Sequence, residues 1–221
     1  MSRIVVVGTG TGIGKTHLSL SLIRALAAAG VSVAGMKPIE SGVGTGVTDA
    51  ELLDQAGVFH VKHPPPYALR APVSPHIAAR EEGLSIRLEA VRAWIDRSQA
   101  SWTVIESAGA LLSPLSPLFT NLDLTVALEP DAVVMVAPDR LGVLHDVTAA
   151  LFAYGVLAPQ LPEPVIALQP PMEADASTGS NGTELLELGI VRKVITFKRA
   201  DAGAPENIAQ ATELARLLTV L

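Results

Sequence analysis

Ile4-Val5-Val6-Val7-Gly8-Thr9-Gly10-Thr11-Gly12-Ile13-Gly14-Lys15-Thr16 is the stretch on which the fold turns. Four β-branched residues in a row suit a strand covered on both faces. Glycine then recurs at positions 8, 10, 12 and 14, and a helix-forming run follows from Thr16 to Ala29. A strand, a glycine loop and a helix N-terminus in that order make an anion cradle. Backbone N–H groups curl inward, and the helix contributes the positive end of its dipole. Lys15 can reach outer phosphates, and the Thr16 hydroxyl can ligate Mg²⁺. Five residues separate Gly8 from Gly14 where the strict phosphate-loop pattern has four, and Ile13 stands where a dinucleotide fingerprint needs glycine. The stretch is therefore a lengthened phosphate loop and not a nicotinamide site.

Outward from this loop, short β-branched runs alternate with helical stretches. Strands are expected at residues 3–7, 32–36, 102–105, 132–137, 164–168 and 191–197. Helices are expected at 16–29, 49–55, 75–82, 87–99, 141–154 and 205–218, with Gly30 just past the end of the first. Regular alternation of this kind predicts an α/β fold: a doubly wound, mostly parallel sheet with helices on both faces. The 221 residues contain no linker-like stretch, so one domain over 1–221 is expected. The formal charge of −6 argues against a general nucleic-acid or anionic-membrane binder. With no cysteine, thiol catalysis and disulfides are excluded. No apolar run approaches the length needed to span a bilayer, and a cytoplasmic protein is expected.

Ligands in such sheets sit at the carboxyl ends of strands. There the second strand supplies Lys37, followed by Pro38 and Gly42, which predict a loop. Lys15 and Lys37 are both expected at exposed strand or loop ends. Mg²⁺ takes hard oxygen ligands. Glu106 and Asp139 each close an apolar strand and compete for that role, with Glu106 preferred because Pro138 and Arg140 flank its rival. Asp49 reads equally as a metal ligand or as an acid of a helix's first turn. His17, His60, His63, His76 and His145 lack helical metal-site spacing, and Trp94, Trp102, Phe119 and Phe152 read as core.

Several segments, taken in order, resemble the dethiobiotin synthetases, a P-loop NTPase-like family. Its extended loop G-T-x-T-x-x-G-K-T is met by Gly8 to Thr16, and its K-P-[IV]-x-S-G segment by Lys37-Pro38-Ile39-Glu40-Ser41-Gly42. P-x-S-P-H is met by Pro72-Val73-Ser74-Pro75-His76, and E-G-A-G-G by the weakened Glu106-Ser107-Ala108-Gly109-Ala110. Leu141-Gly142 matches the family's turn before a helix, so the likeness runs from Ile4 to about Tyr154.

The resemblance implies ATP-dependent ring closure of 7,8-diaminononanoate with CO₂, through a carbamate and a carbamic–phosphoric anhydride. By position it assigns Lys15, Lys37 and Thr11 to catalysis, and Thr16, Asp49 and Glu106 to Mg²⁺. Gly12, Ile13, Gly14, His17, Ser107, Ala108, Gly109 and Gln169 fall to the nucleotide; Ser41, Pro72 and His145, with Thr11, fall to the substrate. It also implies a homodimer with the substrate's carboxylate bound near the partner subunit. Three places depart from the pattern: His145-Asp146 for an Asn-His pair, Gln169-Pro170 for an Asn-Asp-like pair, and Ser107 and Ala110 for glycines. The alternative is a nucleotide-driven partner switch of the septum-positioning or plasmid-partition kind. Such proteins resemble this chain in fold but carry a further lysine early in the loop, where this chain has Thr9-Gly10-Thr11-Gly12.

Overall fold

The computed structural model describes residues 2–221. In chain order its elements are β1 (Ser2–Gly8), α1 (Lys15–Ala28), β2 (Val33–Met36), β3 (Ile39–Ser41), α2 (Asp49–Ala56), β4 (Tyr67–Leu69), α3 (Pro75–Glu81) and α4 (Leu88–Ile95). There follow β5 (Trp102–Glu106), α5 (Asn121–Leu128), β6 (Ala132–Pro138), α6 (Val143–Leu157), β7 (Val165–Gln169), α7 (Asn181–Glu187), β8 (Val194–Thr196) and α8 (Pro205–Leu217).

Six strands pair in the order β2-β5-β1-β6-β7-β8, every pair parallel, so the expected α/β sheet is present. The order reverses at β1, and a crevice opens beyond the carboxyl end of a strand at such a switch point. The inner strands are buried on both faces, which is why β6 reads as a continuous apolar run. Ile4, Val6, Val104 and Val134 pack under α1 and α8 through Leu18, Leu22, Leu26 and Leu214. Val5, Val7, Ile105 and Met135 face the other way, against Val91, Ile95, Leu122, Leu128 and Val147 of α4, α5 and α6. Helix α1 closes as expected: the Gly30 N–H donates to the Ala27 carbonyl and the Val31 N–H to that of Leu26, both at 3.0 Å, a Schellman turn.

Several expectations need correction. The segment after Lys37 is not a plain loop: Ile39–Ser41 pairs in parallel with Tyr67–Leu69 as a separate two-stranded sheet, too short for a period to register. Helix α4 stops at Ile95 and not Gln99, because Arg97 and Ser98 turn onto carbonyls three residues back. Helices α5 and α7 were not expected. Helix α5 is apolar nearly all round, and its start lies in Thr120, whose N–H and hydroxyl both donate to Asp123. Phe152 is not core; it is 72% exposed on α6.

Candidate active site

The loop 9–14 leaves β1 at the switch point and enters α1 through Gly14. Gly14 has φ 90°, and a Cβ there would stand 2.9 Å from Cγ of Gln169, so glycine is required on both counts. Thr9 N–H is tied to the Val136 carbonyl at 2.9 Å, and Leu18 N–H closes the first helical turn on Gly14. The N–H groups at the start of α1 face the crevice without intrahelical partners, as those of a helix's first turn must. Lys15 folds back over the loop, its Nζ donating to the Gly10 carbonyl at 2.9 Å.

Beside the loop, four side chains from four separate elements converge. Lys37, one residue past β2, donates from Nζ to Asp49 Oδ2 at 2.5 Å and to Glu106 Oε1 at 2.7 Å. Thr16 Oγ1 of α1 lies 3.1 and 2.9 Å from the same two oxygens. Asp49 opens α2, and Glu106 ends β5 with its side chain 1% exposed. Its second oxygen, Oε2, is buried and makes no hydrogen bond. Glu40, which sequence reasoning passed over, fixes this corner. Its two carboxylate oxygens accept the N–H groups of Asp49 and Ala50 at 2.9 and 3.0 Å and so anchor the start of α2.

The expectation of exposed lysines was wrong: Lys15 is 7% and Lys37 8% exposed. The crevice walls close over both, and the two ammonium groups respond oppositely. Burial is the largest influence on Lys15; Glu106 and Asp49 oppose it only in part and Lys37 adds to it, so that the pKa is pushed down to about 8. Burial also disfavours the Lys37 cation. Contact with Glu106 and Asp49 outweighs it and holds that pKa above the ordinary lysine value. Asp139 has a different duty: it is 2% exposed and accepts from Gly179 N–H at 2.9 Å and Asn181 Nδ2 at 2.7 Å, away from Thr16.

A cavity of about 310 Å³ contains Thr11, Gly12, Ile13, Gly14, Lys15, Thr16, Lys37, Ser41, Asp49, Glu106, Ala108 and Gly109. A second, of about 470 Å³, shares Thr11 to Gly14 with it and adds His17, Gln169 and Pro170. Gln169 is 3% exposed and its Nε2 has no partner, while His17 is held by the Ala200 carbonyl at 2.9 Å. Arg140, Lys198 and Arg199 also line this cavity, and Arg199 binds the carbonyls of Pro171 and Met172. These cations were not anticipated; the one available signal was a basic pair just past the last strand.

Three expected residues lie elsewhere. His145 lines a third cavity, with Gly8, Thr9, Ala110, Leu112 and Asp146, that shares no residue with the Lys37 cavity. Pro72 packs on Gly42 and lines none of the three. Ser107 is buried behind the site, its N–H on the Val6 carbonyl at 3.0 Å and its Oγ without a partner.

A family model described as an AAA domain matches residues 2–167. The chain is 41% identical over 162 residues to the ATP-dependent dethiobiotin synthetase of Nitrosospira multiformis, covering 71% of this chain and 70% of that protein. It is 42% identical over 152 residues to that of Anaeromyxobacter dehalogenans, covering 66% and 67%. Among solved structures, a plasmid partition protein from Borrelia burgdorferi superposes with a TM-score of 0.61 at 10% identity, covering 100% of this chain and 99% of that one. That likeness is one of fold.

Proposed function

The chain belongs to the family of ATP-dependent dethiobiotin synthetases, and we propose that it closes 7,8-diaminononanoate and CO₂ into the cyclic urea of dethiobiotin, converting ATP to ADP and phosphate. The observation that carries this reading is the meeting of Lys37, Thr16, Asp49 and Glu106 at the rim of the loop that holds Lys15. Phosphoryl transfer needs positioning and charge neutralisation more than covalent chemistry, and this corner supplies both.

One amine of the diamine adds to CO₂ and loses a proton to give a carbamate. A carbamate oxygen attacks the γ-phosphorus of ATP, the bond to the bridging oxygen breaks, and ADP leaves. The second amine then attacks the carbamoyl carbon, the bond from that carbon to the phosphate oxygen breaks, and phosphate departs with the proton that the amine loses, closing the ring. Lys15 and the N–H groups of the loop bind the phosphate chain. Lys37 neutralises charge on the oxygens being transferred, and Thr11 and Ser41 hydrogen-bond the carbamate end. Both lie in the Lys37 cavity.

Thr16, Asp49 and Glu106 are a hard-oxygen set suited to Mg²⁺, and the unpartnered, buried Glu106 Oε2 fits a cation ligand. Bound there, Mg²⁺ supplies Lewis-acid stabilisation to the phosphates. Lys37 meanwhile keeps the two carboxylates together, and on nucleotide binding it turns toward the phosphoryl oxygens. Gln169 lines the cavity that would take the base. Pro170 offers no N–H and Gln is longer than the family's Asn, so relaxed base choice is expected.

Two copies are expected to associate through α6. Leu141 just before the helix and Phe152, Val156 and Leu157 on it stand 61–75% exposed, beside the His145 cavity that would take the substrate's carboxylate tail. Among the described residues no helix is long and apolar enough to cross a membrane. A soluble diamine, bicarbonate and ATP as substrates support a cytoplasmic location. The test is phosphate release from ATP and Mg²⁺ with and without diamine and bicarbonate. Release that requires the diamine supports the reading. Diamine-independent hydrolysis stimulated by a protein partner would replace it with the switch that the partition-protein fold also accommodates.

A further inference from the structure

Asn121 opens α5 and is fully buried, more than ten residues downstream of Glu106 and outside every motif quoted above. Its Nδ2 donates to two carbonyls of the loop after β5: to Ala108 and, at 2.8 Å, to Ala110. Its backbone N–H meets the Ser113 carbonyl at 3.2 Å. The same loop is pinned again by Ser113 Oγ, which accepts the Ala110 N–H at 2.9 Å.

The consequence follows from peptide geometry. Every peptide bond described is trans, so a carbonyl and the N–H across its peptide unit point in opposite directions. In the 110–111 unit the carbonyl turns to Asn121, and the Leu111 N–H turns to the end of β1, reaching the Gly8 carbonyl at 2.8 Å. The 108–109 unit has its carbonyl drawn to the same Asn121 nitrogen, so the Gly109 N–H is turned toward the phosphate loop as well. No protein group among the described residues accepts it. Gly109 lines the Lys37 cavity, and its φ of 84° is the conformation that makes the bend. A Cβ on it would stand 3.6 Å from Thr11 Oγ1.

We propose that Asn121 is a positioning residue: by holding the Ala108 and Ala110 carbonyls it keeps the Gly109 N–H aimed into the cavity, as a donor to the phosphoryl oxygens that gain charge during transfer. This rests on the phosphoryl-transfer reading above. A preorganised donor of this kind acts on the charge that develops in the transition state and hardly at all on the ground state.

The experiment compares wild type with Asn121→Ala in two measurements. The first is diamine-dependent phosphate release. The second is affinity for Mg·ADP with and without aluminium fluoride, a mimic of the transferring phosphoryl group that needs no diamine. Removing one such donor costs ~10²–10³-fold in rate; loosening it is expected to cost 10- to 100-fold in kcat. Mg·ADP affinity should stay within about twofold, and the fluoride complex should weaken in parallel with kcat. Unchanged kcat and unchanged fluoride affinity in a folded variant overturn the proposal. So does parallel loss of Mg·ADP and fluoride affinity, which marks a merely structural role. If Asn121→Ala does not fold, Ser113→Ala releases the second pin at a half-buried position and must give the same split between ADP and fluoride. Wild type that releases no phosphate with diamine refutes the ring-closure reading alone; the fluoride comparison still decides on Asn121.

Discussion

Replacing Lys37 by Gln should damage both stability and turnover, by amounts that follow from the contacts of one ammonium group. Its Nζ touches Asp49 Oδ2 and Glu106 Oε1, and those oxygens otherwise share only the Thr16 hydroxyl. Without the cation, Glu106 is a carboxylate with 1% of its side chain exposed facing a second carboxylate. Stripping one partner from a fully buried ion pair costs ~3–5 kcal/mol. The Asp49 side chain is 37% exposed, so water recovers part of that, and a loss of about 2–4 kcal/mol is expected. In a chain of this size that lowers Tm by roughly 4–16 °C.

The pH dependence has a definite sign. The folded pKa of Lys37 is raised, so its contribution is complete below the unfolded value of 10.5 and is lost only as pH rises through the higher folded value. The difference in urea midpoint between wild type and variant should therefore stay level from neutral pH to about 10 and close above it. Turnover should fall ~10²–10³-fold, as for loss of a group that neutralises transition-state charge. Millimolar Mg²⁺ should narrow the stability gap, since a metal ion replaces the missing cation. A variant with the wild-type urea midpoint and wild-type kcat would refute the reasoning.

Other outcomes follow from single features. Lys15, with a pKa near 8, is partly neutral in mildly alkaline solution, and an incoming triphosphate restores its charge. ATP binding should then take up protons, more at pH 8.5 than at pH 7, read by calorimetry in buffers of different ionisation enthalpy; Lys15→Met abolishes the uptake. The same depression means that the unfolded chain holds more protons between pH 8 and 10.5, so stability gains from Lys15 as pH rises through that window. Asp139→Ala loses the anchors of Gly179 and Asn181 and should cost about 1–3 kcal/mol. Its Mg²⁺ half-saturation should match wild type, and a shifted value would return Asp139 to the metal. Phe152→Glu should convert a dimer to monomers in sedimentation velocity, with ATP affinity retained.

The sheet was readable because parallel strands buried on both faces leave unbroken β-branched runs, as β1 and β6 do. The phosphate loop was readable because its chemistry needs glycine at fixed places. Glu106 was preferred to Asp139 for its flanking residues; Thr16 and Lys37 lie against Glu106, while Asp139 accepts from Gly179 and Asn181. Burial of the lysines was not legible: each follows a glycine-rich or strand-end segment, and only tertiary closure hides them. Glu40 was hidden for another reason, since a carboxylate that caps a helix nine residues later leaves no local pattern. Asn121 acts on a loop over ten residues upstream. Phe152 looks like core in a helix whose apolar residues run nearly all round, and no period separates its inner face from its exposed one.

The most direct test of the central claim follows an oxygen atom. If the carbamate attacks ATP at the pocket of Lys15 and Lys37, one oxygen of CO₂ must leave in the phosphate. With ¹⁸O-labelled bicarbonate, carbonic anhydrase absent and early time points taken, mass spectrometry should find one labelled oxygen in each phosphate released. Phosphate that carries its new oxygen from the water, with none from bicarbonate, would mean that the pocket hydrolyses ATP and the account of ring closure is wrong.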